Sequence, residues 1–192
     1  SRILRINGKV IPVTEHSSTL VATLADGTKV TTEHLIDARV SGRSPVASLA
    51  FLEPAPLSRE AVAALAAADI IILGPGDLYT SSVAALLPEG MQEIIRSSRA
   101  ILVYVSNLFT KAGQTDNFTL SDHVNEIAHY ASREVDYILV HAGAFSSDVL
   151  AGYAEESIES LLVLPLWVGG ENTGTLTFYY RHRHTFSDEE LR

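Results

Sequence analysis

Asp69-Ile-Ile-Ile-Leu-Gly-Pro-Gly-Asp-Leu-Tyr-Thr-Ser81 passes from a β-branched apolar run, through a glycine turn, into hydroxyl residues. Ile70, Ile71 and Ile72 favour a buried strand. Gly74, Pro75 and Gly76 end it. Tyr79, Thr80 and Ser81 then open a helical pattern. A strand that empties into glycines at a helix start is where α/β proteins bind phosphate. The turn frees backbone N–H groups, the helix adds its dipole, and no side chain blocks close approach. Gly-Pro-Gly taken alone also fits a plain β–α connection. The adjacent hydroxyls of Thr80 and Ser81 cap the helix, bind phosphate oxygens, or do both.

The same rhythm continues downstream. Helices are expected over about 80–98, a strand over 100–105, a polar loop over 106–119, a helix over 121–132 and a strand over 136–140. Strands alternating with helices imply parallel pairing and crossover connections. The near-continuous apolar run Ala100-Ile-Leu-Val-Tyr-Val105 implies burial on both faces. A helix over 147–156, a strand over 160–166, a turn at Gly169-Gly170 and a strand over 173–180 complete the pattern. Ser187 and Glu190 form a capping box for a helix start.

Upstream the pattern is different. Residues 3–52 read as short strands, among them Val10-Ile-Pro-Val13, Thr19–Leu24, Lys29–Thr31 and Val46–Leu52. Asp26-Gly27 marks a hairpin turn. Ser58 caps a helix over 59–67, with Glu60 in its first turn.

With 192 residues the chain can bury one sizeable core. Its 14 Lys and Arg against 23 Asp and Glu give a formal charge of -9. That argues against a general nucleic-acid partner, whose phosphates call for clustered cations. The absence of cysteine excludes a disulfide framework and suits a reducing cytosol. No apolar run approaches the roughly 20 residues of a membrane span. The chain opens at Ser1 on an alternating apolar stretch, and the expectation is a piece of a longer protein.

Further constellations offer chemistry. Asn107-Leu-Phe-Thr-Lys-Ala-Gly-Gln-Thr-Asp116 also follows a buried strand. In an open parallel sheet both loops would leave carboxyl ends of strands, the edge where ligands bind. Asn107, Thr110, Gln114, Thr115 and Asp116 supply donors and acceptors there, and Lys111 suits a phosphate; a solvated surface loop has the same composition. Ser121-Asp-His-Val124 opens a helix, where His123 is either a general base or ligand contact, or a capping residue. Asp116, Asp122 and His123 follow no recognised metal spacing. Arg181-His-Arg-His184 places His182 and His184 on one side of a strand, a pattern that fits a solvated strand end better than a metal or anion site.

The segments 69–81, Val105-Ser-Asn-Leu-Phe-Thr110, Gly113-Gln-Thr-Asp116 and Ser121-Asp-His-Val124 resemble the gluconeogenesis-factor family, the uridine-diphosphate-sugar-binding branch of the CofD-like superfamily. Gly8–Thr14 and Leu24-Ala-Asp-Gly27 are similar too, so the likeness runs from about 3 to about 156. It implies an α/β, Rossmann-like parallel sheet with helices on both faces; the residue pattern adds short strands before that sheet and a β-hairpin and a helix start after it. It implies a partial domain over 1–156, with a short-strand region 1–52 and a βαβ core 58–156. The family's N-terminal Gly-Gly-Gly-Thr-Gly half is not matched here. Gly74, Pro75, Gly76, Thr80, Ser81, Asn107, Thr110, Thr115, Asp116 and His123 are the positions that carry over as ligand contacts. None carries a catalytic or metal-binding role. Asp77 stands where the family has Ser, and a carboxylate there would repel a diphosphate. Gln114 stands for Glu and Ala112 for Pro. Residues 157–192 resemble instead the end of a GAF sensory domain.

The function that the likeness implies is regulatory binding of a nucleotide-sugar such as UDP-N-acetylglucosamine, without turnover. It is tied to carbon metabolism and cell-envelope homeostasis in a bacterial cytoplasm. The ligand class is a UDP-sugar or dinucleotide, with no other cofactor, no nucleic acid, no membrane, and a tendency to self-associate. Two alternatives stand beside it. One is a phospholactate or phosphoryl transferase of the sister branch, with His123 or Asp116 as base. The other is a truncated or chimeric chain without activity.

Overall fold

Strands form at the apolar runs, and helices form between capping residues. A computed structural model describes residues 8–141, 160–168 and 171–180. The order is β1 (Leu20–Leu24), β2 (Lys29–Thr31), α1 (Glu33–Asp37), β3 (Val46–Phe51), α2 (Arg59–Ala67), β4 (Ile70–Leu73), α3 (Met91–Ser97), β5 (Ile101–Val105), α4 (Leu120–Ala131), β6 (Tyr137–Leu139), β7 (Ser160–Val168) and β8 (Glu171–Tyr180). The chain divides into two compact units, residues 11–141 and residues 1–10 with 142–192.

In the first unit, β4, β5 and β6 form a parallel sheet in sequential order. Ile71 pairs with Leu102, and Tyr104 with Ile138. Ile71, Leu102 and Tyr104 point into one core with Met91, Ile95, Ile127 and Tyr130. The chain is thus α/β with a parallel sheet, as the alternating pattern implies. Right-handed crossovers between strands taken in sequential order put both connections on one face of a sheet. The alternate residues Ile70, Ile72 and Ile101 remain 39–42% exposed. The apolar runs therefore point to burial on both faces, while among the described residues the core takes up one.

A second sheet, ordered β2-β1-β3, is antiparallel. Gly27, at φ 84°, makes the expected turn between β1 and β2. Residues 32–37 depart from the all-strand expectation. The Thr32 hydroxyl accepts from the Leu35 N–H, and a short helix follows. Residues 10–13 also differ, since they form no strand. Pro12 lacks an N–H for a ladder. Its carbonyl instead accepts from the Ser58 hydroxyl at 2.7 Å, and the Val13 carbonyl accepts from the Ser58 N–H at 2.8 Å. Ser58 also caps α2 through the Ala61 N–H, as expected.

The helix expected over 80–98 is broken. Leu78–Val83 winds as a π-helical turn, Ala84–Leu86 as a 3-10 turn, and α3 starts only after Gly90 at φ 92°. Pro88 explains the break, because it cannot donate to a continuing helix. α4 begins with a capping box. Thr119 accepts from the Asp122 N–H while the Asp122 carboxylate accepts from the Thr119 N–H.

In the other unit β7 and β8 form an antiparallel hairpin. The helix expected over 147–156, the turn at 169–170, His182, His184 and the capping box at Ser187 lie outside the described residues. No helix among the described residues is long and apolar enough to cross a membrane.

Two tyrosines join the layers of the first unit. The Tyr130 hydroxyl of α4 accepts from the Leu49 N–H at 2.7 Å, and the Tyr79 hydroxyl donates to the Val46 carbonyl at 3.5 Å. Both partners lie on β3, an edge strand whose open backbone groups need cover. Burial pushes the Tyr79 and Tyr130 phenols above their ordinary range, so both stay neutral. Tyr130→Phe removes the acceptor for a buried N–H. It is expected to lower stability by about 1–3 kcal/mol in urea unfolding, with little change in secondary structure.

Candidate functional site: a polar wall at the carboxyl ends of β4 and β5

The turn after β4 and the loop after β5 meet as the parallel topology requires. Gly74 has φ 81°, and a Cβ there would stand 2.7 Å from the Val105 carbonyl oxygen, so glycine alone fits. Asn107 ties the two loops: its Nδ2 donates to the Gly76 carbonyl at 2.7 Å, and its Oδ1 accepts from the Tyr104 hydroxyl at 3.3 Å. Burial raises the Tyr104 phenol to about 12, so it serves as a donor throughout the physiological range.

Asp37, at the end of α1, receives both loops on one oxygen. Its Oδ1 accepts from the Thr80 hydroxyl at 3.0 Å, Lys111 Nζ at 2.7 Å and Gln114 Nε2 at 2.8 Å. Lys111 Nζ donates also to Asp77 Oδ2. Partial burial pushes the Asp37 carboxyl upward, but Lys111, Thr80 and Gln114 outweigh it and hold it below the usual carboxylate range. Burial would likewise lower the Lys111 ammonium, and the two carboxylates outweigh it and raise it. The repulsion expected from Asp77 is thus offset within the site, because Asp77 faces an ammonium.

The expected contact residues divide by exposure. Ser81 and Thr110 are exposed, and Gly76, Asn107 and Asp116 half-buried. Pro75 is exposed and follows Gly74 through a cis bond. Thr80, at 7% exposure, is committed to Asp37. Thr115, at 2%, accepts from the Lys111 N–H and folds the loop on itself. The Asp116 carboxylate accepts from the Ser41 hydroxyl and the Gly113 N–H. His123 is 6% exposed; its Nδ1–H donates to the Thr119 carbonyl at 2.9 Å and its ring meets Phe118 edge-on. Among the described residues no group of three or more His, Asp or Glu is placed to hold a metal.

Asp37 and Ser82 are additions that the sequence pattern does not single out. A signal for Asp37 exists: Thr32 followed by Glu-His-Leu-Ile-Asp is a capped helical turn rather than a strand. Two buried polar atoms at the wall, the Gln114 Oε1 acceptor and the Ser82 hydroxyl, have no hydrogen-bond partner among the described residues.

The fold places the chain among parallel α/β proteins with a polar wall at the strand ends. Residues 1–163 match the family model described as 2-phospho-L-lactate transferase CofD, and the chain belongs to that family. It is 39% identical over 155 residues to a putative gluconeogenesis factor of Thermotoga maritima, which covers 81% of this chain and 48% of that protein. A gluconeogenesis factor of Halalkalibacterium halodurans is 39% identical over 181 residues, 94% of this chain and 56% of the relative. That match therefore takes in part of 157–192. A crystal structure of a UPF0052 family member from Bacillus halodurans superposes with a TM-score of 0.74 at 37% identity, covering 81% of this chain and 50% of that one. The chain spans about half the length of the relatives it matches.

Asp37→Asn is expected to lower stability at pH 7 by about 0.5–1.5 kcal/mol, a range already reduced for solvent exposure. The folded carboxyl titrates below the unfolded one, so the wild-type advantage is full above about pH 4. It is lost as pH falls through the folded pKa. Urea midpoints of the two proteins should converge in acid.

Proposed function

We propose that this chain supplies one wall of a nucleotide-sugar site of the UDP-N-acetylglucosamine type, in a regulatory binding protein without turnover. The observation that carries the reading is the joined pair of strand-end loops. The Asn107–Gly76 bond and the shared Asp37 oxygen fix both loops at the sheet edge where open α/β folds take their ligands. Ser81 and Thr110 present exposed hydroxyls beside it, and Lys111 supplies the cation. The names of the relatives support the link to carbon metabolism. A cytoplasmic setting, a role in cell-envelope homeostasis and a GAF-like character of 157–192 belong to the same proposal.

A second reading, transfer of a phosphorus-containing group, follows from the name of the matched family. The geometry favours it less. A general base needs a free atom within reach of its proton. The Asp116 carboxylate bonds Ser41 and Gly113, and the His123 ring is largely buried.

Titration calorimetry with UDP-N-acetylglucosamine tests the proposal. Saturable heat is expected, and no heat at millimolar ligand would overturn it for this chain. Ser81→Ala should weaken binding by about 0.5–1.5 kcal/mol, the range for one neutral hydrogen bond, with the melting temperature unchanged.

A further inference from the structure

Asp77 is the residue whose chemistry fits an anion site least. Among the described residues its carboxylate bonds only Lys111. Asp37, the other partner of Lys111, is held in place by Thr80 and Gln114 as well. The two carboxylates are therefore unequal, with Asp37 fixed by three donors and Asp77 tied by one. The side chains of Lys111, Asp77 and Asp37 are 29%, 36% and 40% exposed, so this cluster lies partly open to solvent. Gln114 bonds the same Asp37 oxygen, while its own Oε1 is buried with no partner among the described residues.

We propose that Asp77 is an internal competitor for Lys111, and that a phosphorylated ligand binds by taking its place on Nζ. Lys111 is then an anion contact, and Asp77 sets how strongly the anion is held. Asp37 stays bonded throughout and positions the ammonium. A free phosphate oxygen accepts the N–H that Asp77 releases, and the Asp77 carboxylate turns to water. The inference rests on the nucleotide-sugar reading and adds what controls the strength of that site.

The probe is UDP, titrated at low ionic strength, where charge effects are least screened. Asp77→Asn keeps the shape and removes the charge; it is expected to bind about tenfold more tightly than the wild type. Asp77→Ser, the second variant, should do the same, and thermal melting confirms that each is folded. Lys111→Met should bind about tenfold more weakly. Proton–nitrogen NMR gives a readout that general repulsion does not move. The Lys111 Nζ resonance, assigned by its loss in Lys111→Met, should shift at UDP saturation of the wild type and couple to phosphorus. UDP binding of equal strength in the wild type, Asp77→Asn and Asp77→Ser, or a Lys111 resonance that UDP leaves in place, overturns the competition while leaving the nucleotide site standing. Absence of UDP binding in all the folded proteins overturns both.

Discussion

Three hydrogen bonds converge on one oxygen, Asp37 Oδ1, and the geometry of the polar wall follows from them. A partly buried carboxylate is costly unless its lone pairs are used. Here the donors come from Thr80 after β4 and from Lys111 and Gln114 after β5, while Asp37 itself ends the short helix of the antiparallel layer. One acceptor therefore couples two loops to a third segment. It also fixes an ammonium at the edge of the sheet, where Lys111 is shared with the second carboxylate of Asp77.

Close backbone approaches make this coupling sharp. A Cβ on Gly74 would collide with the Val105 carbonyl, and one on Gly113 would stand 2.5 Å from the Arg39 backbone carbon. Both glycines have positive φ, so any side chain would add strain as well as overlap. The tyrosine contacts act at a larger scale. Tyr79 and Tyr130 reach from the parallel layer to the open edge of β3, so the two sheets of the first unit share one core and one set of polar contacts. Polar groups placed on such a support hold their positions better than groups on a free loop.

Membership of the CofD family agrees with this geometry, and the wall divides its residues by task. Thr80, Thr115 and His123 are buried and bonded within the protein, so they shape the loops. Ser81 and Thr110 are exposed, and Lys111 is shared between two carboxylates. Asp77 is not an isolated carboxylate, because it bonds the Lys111 ammonium. Beside Lys111 it is one of two carboxylates that share a single ammonium.

Much of this architecture is legible in the residues alone. The β-branched run at 70–72, the glycines at 74 and 76, the Ser58 cap and the Asp26-Gly27 turn act through local chemistry, and β4, α2 and the β1–β2 hairpin lie where these signals put them. Non-local competition settled the rest. Residues 10–13 have the composition of a strand, but Ser58 captures the Pro12 and Val13 carbonyls, and no strand among the described residues pairs with them. Helical patterning over 80–98 is broken around Pro88 and Gly90 into a π-helical turn, a 3-10 turn and the short helix α3. The sequence by itself determined the alternation of strands and helices, and so the parallel sheet and the two loops at its edge. Only the tertiary structure decided that Asp37 gathers those loops and that Lys111 stands between two carboxylates. Local propensity acts between near neighbours, whereas Asp37 lies 43 positions from Thr80 and 77 from Gln114, a closeness that packing alone creates.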